Sequence, residues 1–176
     1  MTNTELAILS LVAECPRHGY EIEQVIEERD MREWTEIGFS SIYYILKKLE
    51  ARGLVTVRLE ETKEGPARRV FSATQSGQQA LRQGLLEILS IPEQAYPPLQ
   101  LGLANLPRIP TVEALEALRR YQAALSERLA QEQSTWESKK PAPYFVDAMF
   151  DYSITMIQAE MNWIEKLIQL VETNHK

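Results

Sequence analysis

Residues Gly38–Thr74 read GFSSIYYILKKLEARGLVTVRLEETKEGPARRVFSAT, and this stretch decides the fold. In Ser40–Arg52 the apolar residues Ile42, Ile45, Leu46 and Leu49 recur at helical spacing. Ser40, Ser41, Tyr43, Tyr44, Lys47, Lys48 and Arg52 fill most of the other positions. The spacing predicts a helix with one buried stripe and a basic, hydroxyl-rich outer face. Gly53 stands where that helix would end, and Leu54–Leu59 has the β-branched content of a strand. Gly65-Pro66 signals a turn within Glu60–Ala67, and Arg68–Thr74 returns as a second strand.

Working outward toward the N-terminus, Thr4–Glu14 predicts a helix with a broad apolar face from Leu6, Ile8, Leu9, Leu11 and Val12. Asn3 or Thr4 is its expected cap, and Glu5 suits the positive end of the helix dipole. Pro16 ends it, because proline cannot continue the hydrogen-bond ladder. A second helix is expected over about His18–Arg29, with His18 capping or orienting it. The connection Asp30–Ile37 is expected to pack Trp34 and Ile37 under the basic helix. Three helices followed by two strands and a turn form the pattern of a winged helix-turn-helix, which places its third helix in a DNA groove.

The charge distribution fits that pattern better than the total does. The 176-residue chain carries a net charge of −6, an unpromising value for a nucleic-acid binder. Yet residues 40–69 hold seven basic side chains against four acidic ones, whereas residues 20–37 hold seven acids against Arg29 and Arg32. An acidic body with one basic face orients a protein on DNA and limits non-specific adhesion. A single cysteine, Cys15, excludes an intrachain disulfide and fits a reducing compartment; its expected place is buried at the end of the first helix. The N-terminus has no basic lead and no apolar run of membrane-spanning length, so a cytoplasmic, non-membrane protein is expected. An enzyme is not expected: there is no CxxC pair, no HExxH, no glycine-rich phosphate loop, and two histidines are too few for a convincing Ser/His/Asp set. No cofactor and no metal are implied.

At these residues the chain resembles the PadR family of bacterial transcriptional regulators. The resemblance is carried by Leu6–Leu11, by the Pro16–Ile22 run PRHGYEI, by Ser41–Val55, and by Arg68–Thr74 with the following Gly77. It covers about residues 4–90 well, and more loosely Pro98–Leu103 and Ala159–Ile164. It implies a homodimer that binds an operator, commonly as a repressor, and is released by a small molecule or a stress signal. The residue chemistry supports the DNA half independently. Ser40, Ser41, Tyr43 and Tyr44 can donate to phosphates near the helix N-terminus, where the dipole also favours an anion. Lys47 and Lys48 reach a guanine edge or a phosphate, alternatives that spacing does not separate. Arg68 and Arg69 are adjacent on a strand, so one is expected to face DNA and the other solvent or Glu60/Glu61. Lys63 at the wing tip and the Tyr20 hydroxyl complete the candidate DNA contacts. The alternative is a winged helix that serves as a protein–protein module without DNA, against which the clustering of these cations argues.

After the wing, Gln75–Leu89 predicts a linking helix. Residues 91–110 hold five of the nine prolines together with Leu99, Leu101, Leu103 and Leu106, too apolar for a solvated tether, so a docked short helix is expected. Thr111 is the expected cap of a long helix to about Glu137, whose apolar stripe includes Leu118 and Leu125. The last helix, Tyr144–Glu172, carries two stripes. One is Phe145, Met149, Tyr152, Met156, Ala159, Trp163, Leu167 and Leu170; the other is Phe150, Ile154, Ile157, Met161, Ile164, Ile168 and Val171. Two adjacent stripes need more cover than one partner helix supplies, which predicts a two-fold dimer using Leu118, Leu125, Met149, Tyr152, Met156, Ile157, Met161, Trp163, Ile164 and Ile168. The aromatics Trp34, Trp136, Trp163, Tyr96, Tyr121 and Tyr152 are candidates for lining a site for a hydrophobic or aromatic effector, with core packing as their ordinary use. The expected class is therefore mostly α with a small two-stranded β wing. It comprises an N-terminal winged helix-turn-helix over residues 1–90, a proline-rich docked connection over 91–110, and a C-terminal antiparallel helical dimerisation domain over 111–176.

Overall fold

The computed structural model describes residues 1–38, 41–62 and 65–174, with side chains left aside at 62, 65 and 66. Two compact units divide the chain, Met1–Gln94 and Ala95–Lys176.

In the first unit, α1 (Asn3–Glu14) begins on a capping box: Thr2 Oγ1 accepts from the Glu5 amide at 3.1 Å and Glu5 Oε2 accepts from the Thr2 amide at 3.1 Å. The cap is thus Thr2, one residue before the expected Asn3, because Thr2 keeps extended backbone while Asn3 is already helical. Cys15 follows in extended conformation and is exposed, not buried, since the chain turns outward there ahead of Pro16. Arg17–His18 then forms β1, a two-residue strand that periodicity cannot reveal. His18 also caps α2 (Gly19–Glu28): its Nδ1 accepts from the Glu21 amide at 3.2 Å, and Glu21 Oε2 accepts from the His18 amide at 2.9 Å.

A 3₁₀ turn at Met31–Glu33 leads toward α3 (Ser41–Ala51). Met31 and Ile37 enter the core, but Trp34 is 51% exposed and does not lie beneath α3. Gly53 ends α3 with φ +68°, a left-handed conformation that glycine adopts without a Cβ clash. β2 (Val55–Thr62) and β3 (Gly65–Ala73) pair antiparallel in the register Val55↔Ala73 to Glu60↔Arg68, and β1 adds to the other edge of β3 through Arg17↔Phe71 and His18↔Val70. The sheet therefore has three strands, in the order β1-β3-β2, where two were expected. Thr74 caps α4 (Gln75–Ser90) by accepting from the Gly77 amide at 3.0 Å. Ile8, Leu9, Leu11, Ile22, Ile26, Ile42, Leu46 and Leu49 form a nearly solvent-free core with Val55 and Phe71.

The second unit contains α5 (Pro98–Ala104), α6 (Thr111–Ser138) and α7 (Tyr144–Thr173). The short helix expected in the proline-rich stretch is present, with Leu99 and Leu103 half-buried and Leu101 71% exposed. Pro110, not Thr111, holds the cap position of α6, because its extended backbone precedes a Thr111 that is already helical. α6 and α7 pack antiparallel. Trp136 Nε1 donates to Asp147 Oδ1 at 2.7 Å near their connection, the Tyr121 hydroxyl donates to Glu160 at 2.6 Å, and Arg119 pairs with Glu172 at 2.8 Å toward the far end. Between the helices Leu118, Ile164 and Ile168 are buried, flanked by Leu115, Tyr121, Leu167 and Val171. Among the described residues no helix is long and apolar enough to cross a membrane.

Candidate nucleic-acid interface

α3 buries Ile42, Ile45, Leu46 and Leu49 and turns Tyr43, Tyr44, Lys47 and Lys48 outward. Tyr43 is 62% exposed and Tyr44 69% exposed, an unusual expense of aromatic surface unless something stacks on or hydrogen-bonds to it. Ser41 is half-buried, and its hydroxyl donates to the Gly38 carbonyl at 2.6 Å, which helps to start the helix.

The Tyr43 ring lies against the start of α2. A Cβ on Gly19 would come within 2.5 Å of the Tyr43 ring and hydroxyl, so the absence of a side chain at residue 19 is what lets the ring settle there. Beside it an open cleft of about 540 Å³ is lined by His18, Gly19, Tyr20, Glu21, Gln24, Tyr43, Arg68, Arg69 and Phe71. Four expected contact residues, Tyr20, Tyr43, Arg68 and Arg69, thus meet around one concavity. Tyr44, Lys47 and Lys48 lie on the same helix without lining the cleft, and Ser40 and Lys63 fall outside the described residues.

Most cations of this surface are already paired. Arg69 binds Glu50 of α3 at 2.9 Å and lies over the Phe71 ring at 5.4 Å, so it finds an acid on α3 instead of the expected Glu60 or Glu61. Glu60 is taken by Arg58. Lys48 Nζ meets Glu5 Oε1 at 2.5 Å, and Arg52 Nη1 meets Glu5 Oε2 at 3.3 Å. Hydrogen bonding from Lys48 outweighs the opposing effect of burial and holds the Glu5 carboxyl below the usual carboxylate range. Among the described residues of α3 and the wing, Lys47 and Arg68 are the cations without an ion pair. Arg68 Nη1 stands 3.5 Å from His18 Nε2. Because His18 Nδ1 accepts the Glu21 amide hydrogen, the neutral imidazole carries its proton on Nε2, which faces Glu21 Oε1 at 3.3 Å.

Two participants were missed in the sequence. Gly19 could have been flagged as a residue without a side chain beside an aromatic in the PRHGYEI run. Glu5 could have been flagged by the capping-box spacing Thr2-x-x-Glu5 together with two cations four residues apart, Lys48 near the end of α3 and Arg52 just past it.

The ten expected dimer residues separate into two groups. Leu118, Leu125, Ile157, Ile164 and Ile168 are buried within the chain itself, whereas Met149, Tyr152, Met156 and Trp163 are exposed and Met161 is half-buried. The exposed set follows the stripe that begins at Phe145.

Residues 8–83 match the model of the transcriptional regulator PadR-like family. No curated protein matches the chain. Among solved structures, Bacillus subtilis PadR in complex with operator DNA is 22% identical with a TM-score of 0.77, covering 95% of this chain and 98% of that one. The same protein in complex with p-coumaric acid gives 23% identity and a TM-score of 0.78 over 96% and 98%. A PadR-like transcriptional regulator from Bacillus cereus is 16% identical with a TM-score of 0.68 over 98% and 99%. The chain is therefore similar to the PadR-like family of transcriptional regulators over its winged-helix residues 8–83, and it shares the fold of these solved structures over nearly its whole length.

Proposed function

We propose that the protein is a DNA-binding repressor that reads a palindromic operator as a homodimer. The observation that carries this reading is the pair of cations without an ion pair among the described residues of α3 and the wing, Lys47 on α3 and Arg68 on β3, beside the exposed side chains of Tyr20, Tyr43 and Tyr44. Cations supply the phosphate attraction, and hydroxyl donors fix register on the backbone. One copy offers few such groups, so useful affinity needs a second copy held at a fixed spacing. Two reading helices on one face of a duplex lie about one turn, roughly 34 Å, apart. The exposed stripe Phe145, Met149, Tyr152, Met156 and Trp163 on α7 is apolar surface suited to joining two copies. In this reading the chain has a DNA-reading part over residues 1–90 and a dimer-forming part over 111–176. Release by a hydrophobic or aromatic small molecule is part of the proposal, supported by the shared fold of the neighbour solved with p-coumaric acid.

Electrophoretic mobility with duplex fragments from upstream of the protein's own gene tests the reading. A retarded complex is expected at moderate salt, and Lys47→Ala and Arg68→Ala are expected to weaken it without changing the dimer mass. Failure of every upstream fragment to shift would sink the proposal, and normal affinity in both variants would remove this contact surface.

A further inference from the structure

Glu5 is the charged side chain that is buried among the described residues, 3% exposed. Both of its carboxylate oxygens face cations: Oε1 is in an ion pair with Lys48, and Oε2 accepts from Arg52 and the Thr2 amide. Its partners are Lys48 in the last turn of α3 and Arg52 just past the end of that helix, and their side chains remain nearly half exposed, 46% and 44%. One anion on α1 thus neutralises two cations at the C-terminal end of the helix assigned above to reading DNA, one within it and one just after it. The asymmetry of burial decides which way such a bridge can move. A carboxylate fixed inside the capping box cannot follow its partners outward, and parting them would leave a desolvated charge unpaired. A DNA phosphate therefore competes for Lys48 and Arg52 at a disadvantage.

Resting on the DNA-reading proposal, we propose that Glu5 is a positioning residue that holds Lys48 and Arg52 against the protein and keeps both cations off the phosphate backbone. Non-specific affinity grows with the number of phosphates neutralised, so removing two cations from the count lowers attachment to arbitrary sequence. Discrimination is then left to the groups of α3 that remain free to approach DNA. The depressed carboxyl pKa agrees with a bridge that stays charged at neutral pH.

The experiment measures the affinity of the full chain for a random-sequence duplex as salt is raised from about 50 to about 200 mM, a range in which each cation–phosphate contact changes affinity by about 3- to 4-fold. Glu5→Gln removes the charge, while its side-chain oxygen still accepts from the Thr2 amide. It is expected to steepen the plot of log affinity against log salt by about one to two units. Adding Lys48→Gln and Arg52→Gln to that variant is expected to restore the original slope, which a merely structural role for Glu5 would not do. An unchanged slope in Glu5→Gln beside a salt-dependent parent overturns this proposal and leaves the DNA reading intact. A parent chain with no duplex binding at any salt overturns both. If Glu5→Gln fails to fold, Lys48→Gln and Arg52→Gln alone decide the matter. Each is expected to leave the parent slope unchanged, and a loss of about one unit in either shows that its cation already touches phosphate, against the proposal.

Discussion

The two units solve the problem of burying apolar side chains in opposite ways. In Met1–Gln94 the four helices α1 to α4 and the sheet enclose their own core, and Ile8, Leu9, Ile22, Ile42, Leu46 and Leu49 have essentially no contact with solvent. In Ala95–Lys176 the hairpin of α6 and α7 encloses little, and Phe145, Met149, Tyr152, Met156, Trp163 and Leu170 stay on the surface. Two long helices form a single contact seam, so a helix with two apolar stripes covers one and leaves the other open. The first unit closes its own core and displays polar and basic groups; the second leaves one apolar stripe on its surface. On the proposed function the first surface reads DNA and the second joins two copies.

The hardest way to break that contrast is to spoil the open stripe. Met156→Asp puts a charge at its middle, where Met156 is 52% exposed, so the isolated chain loses little. On the dimer proposal the variant becomes monomeric by light scattering and keeps its helical circular dichroism. Its operator affinity falls by about 10²-fold or more, because the linkage between two half-sites is lost. A dimer that persists would mean that α7's exposed stripe is not the joint.

Two glycines sharpen the comparison at smaller scale. A Cβ on Gly77 would collide with the Leu54 carbonyl oxygen, a backbone atom that cannot swing away. Gly77→Ala is therefore expected to destabilise the first unit by about 1–3 kcal/mol, through overpacking in a closed structure. Gly102 in α5 has nothing within 4 Å of an added Cβ, so Gly102→Ala should be neutral or stabilising by up to about 1 kcal/mol, as glycine is a poor helix former. Thermal unfolding of the two variants compares a closed unit with an open one; equal responses would contradict the difference in packing.

Legibility in the sequence followed the same division. The stripe Ile42, Ile45, Leu46 and Leu49, the stop at Gly53 and two antiparallel strands after it were readable, because local periodicity and turn chemistry specify them directly, although Gly65-Pro66, expected in the turn, already belongs to β3. The strand Arg17–His18 was not, since two residues carry no period and the strand exists only through its pairing with Val70 and Phe71. Cys15 and Trp34 looked like core residues by type, but their exposure is set by where the chain turns. The Tyr20, Tyr43, Arg68 and Arg69 cluster could be proposed by residue chemistry, whereas the capture of Lys48 and Arg52 by Glu5 depends on α1 and α3 packing together. On α7 both stripes were visible; which of them α6 covers became apparent only in three dimensions.

The smallest effects come from pH, and they should take opposite signs in the two units. Glu5 and Glu14 have carboxyl pKa values lowered by hydrogen bonding, from Lys48 and from Arg29 respectively. Their unfolded forms bind protons more readily, so the stability they contribute is present above the ordinary carboxylate value of 4.5 and is lost as pH falls through the lower folded values. Tyr121 in the α6–α7 hairpin runs the other way. Its hydrogen bond to Glu160 favours the neutral phenol and raises its pKa above 10.0. Its contribution is intact below that value and is lost as pH climbs through the raised one. Hydrogen exchange followed at acid and alkaline pH should show α1 loosening first in acid and the middle of α6 and α7 loosening first in alkali. Tyr121→Phe removes the titrating group, so the alkaline effect should vanish in that variant while the acid effect stays. An alkaline response that survives the substitution would assign the loosening to some group other than the Tyr121–Glu160 pair.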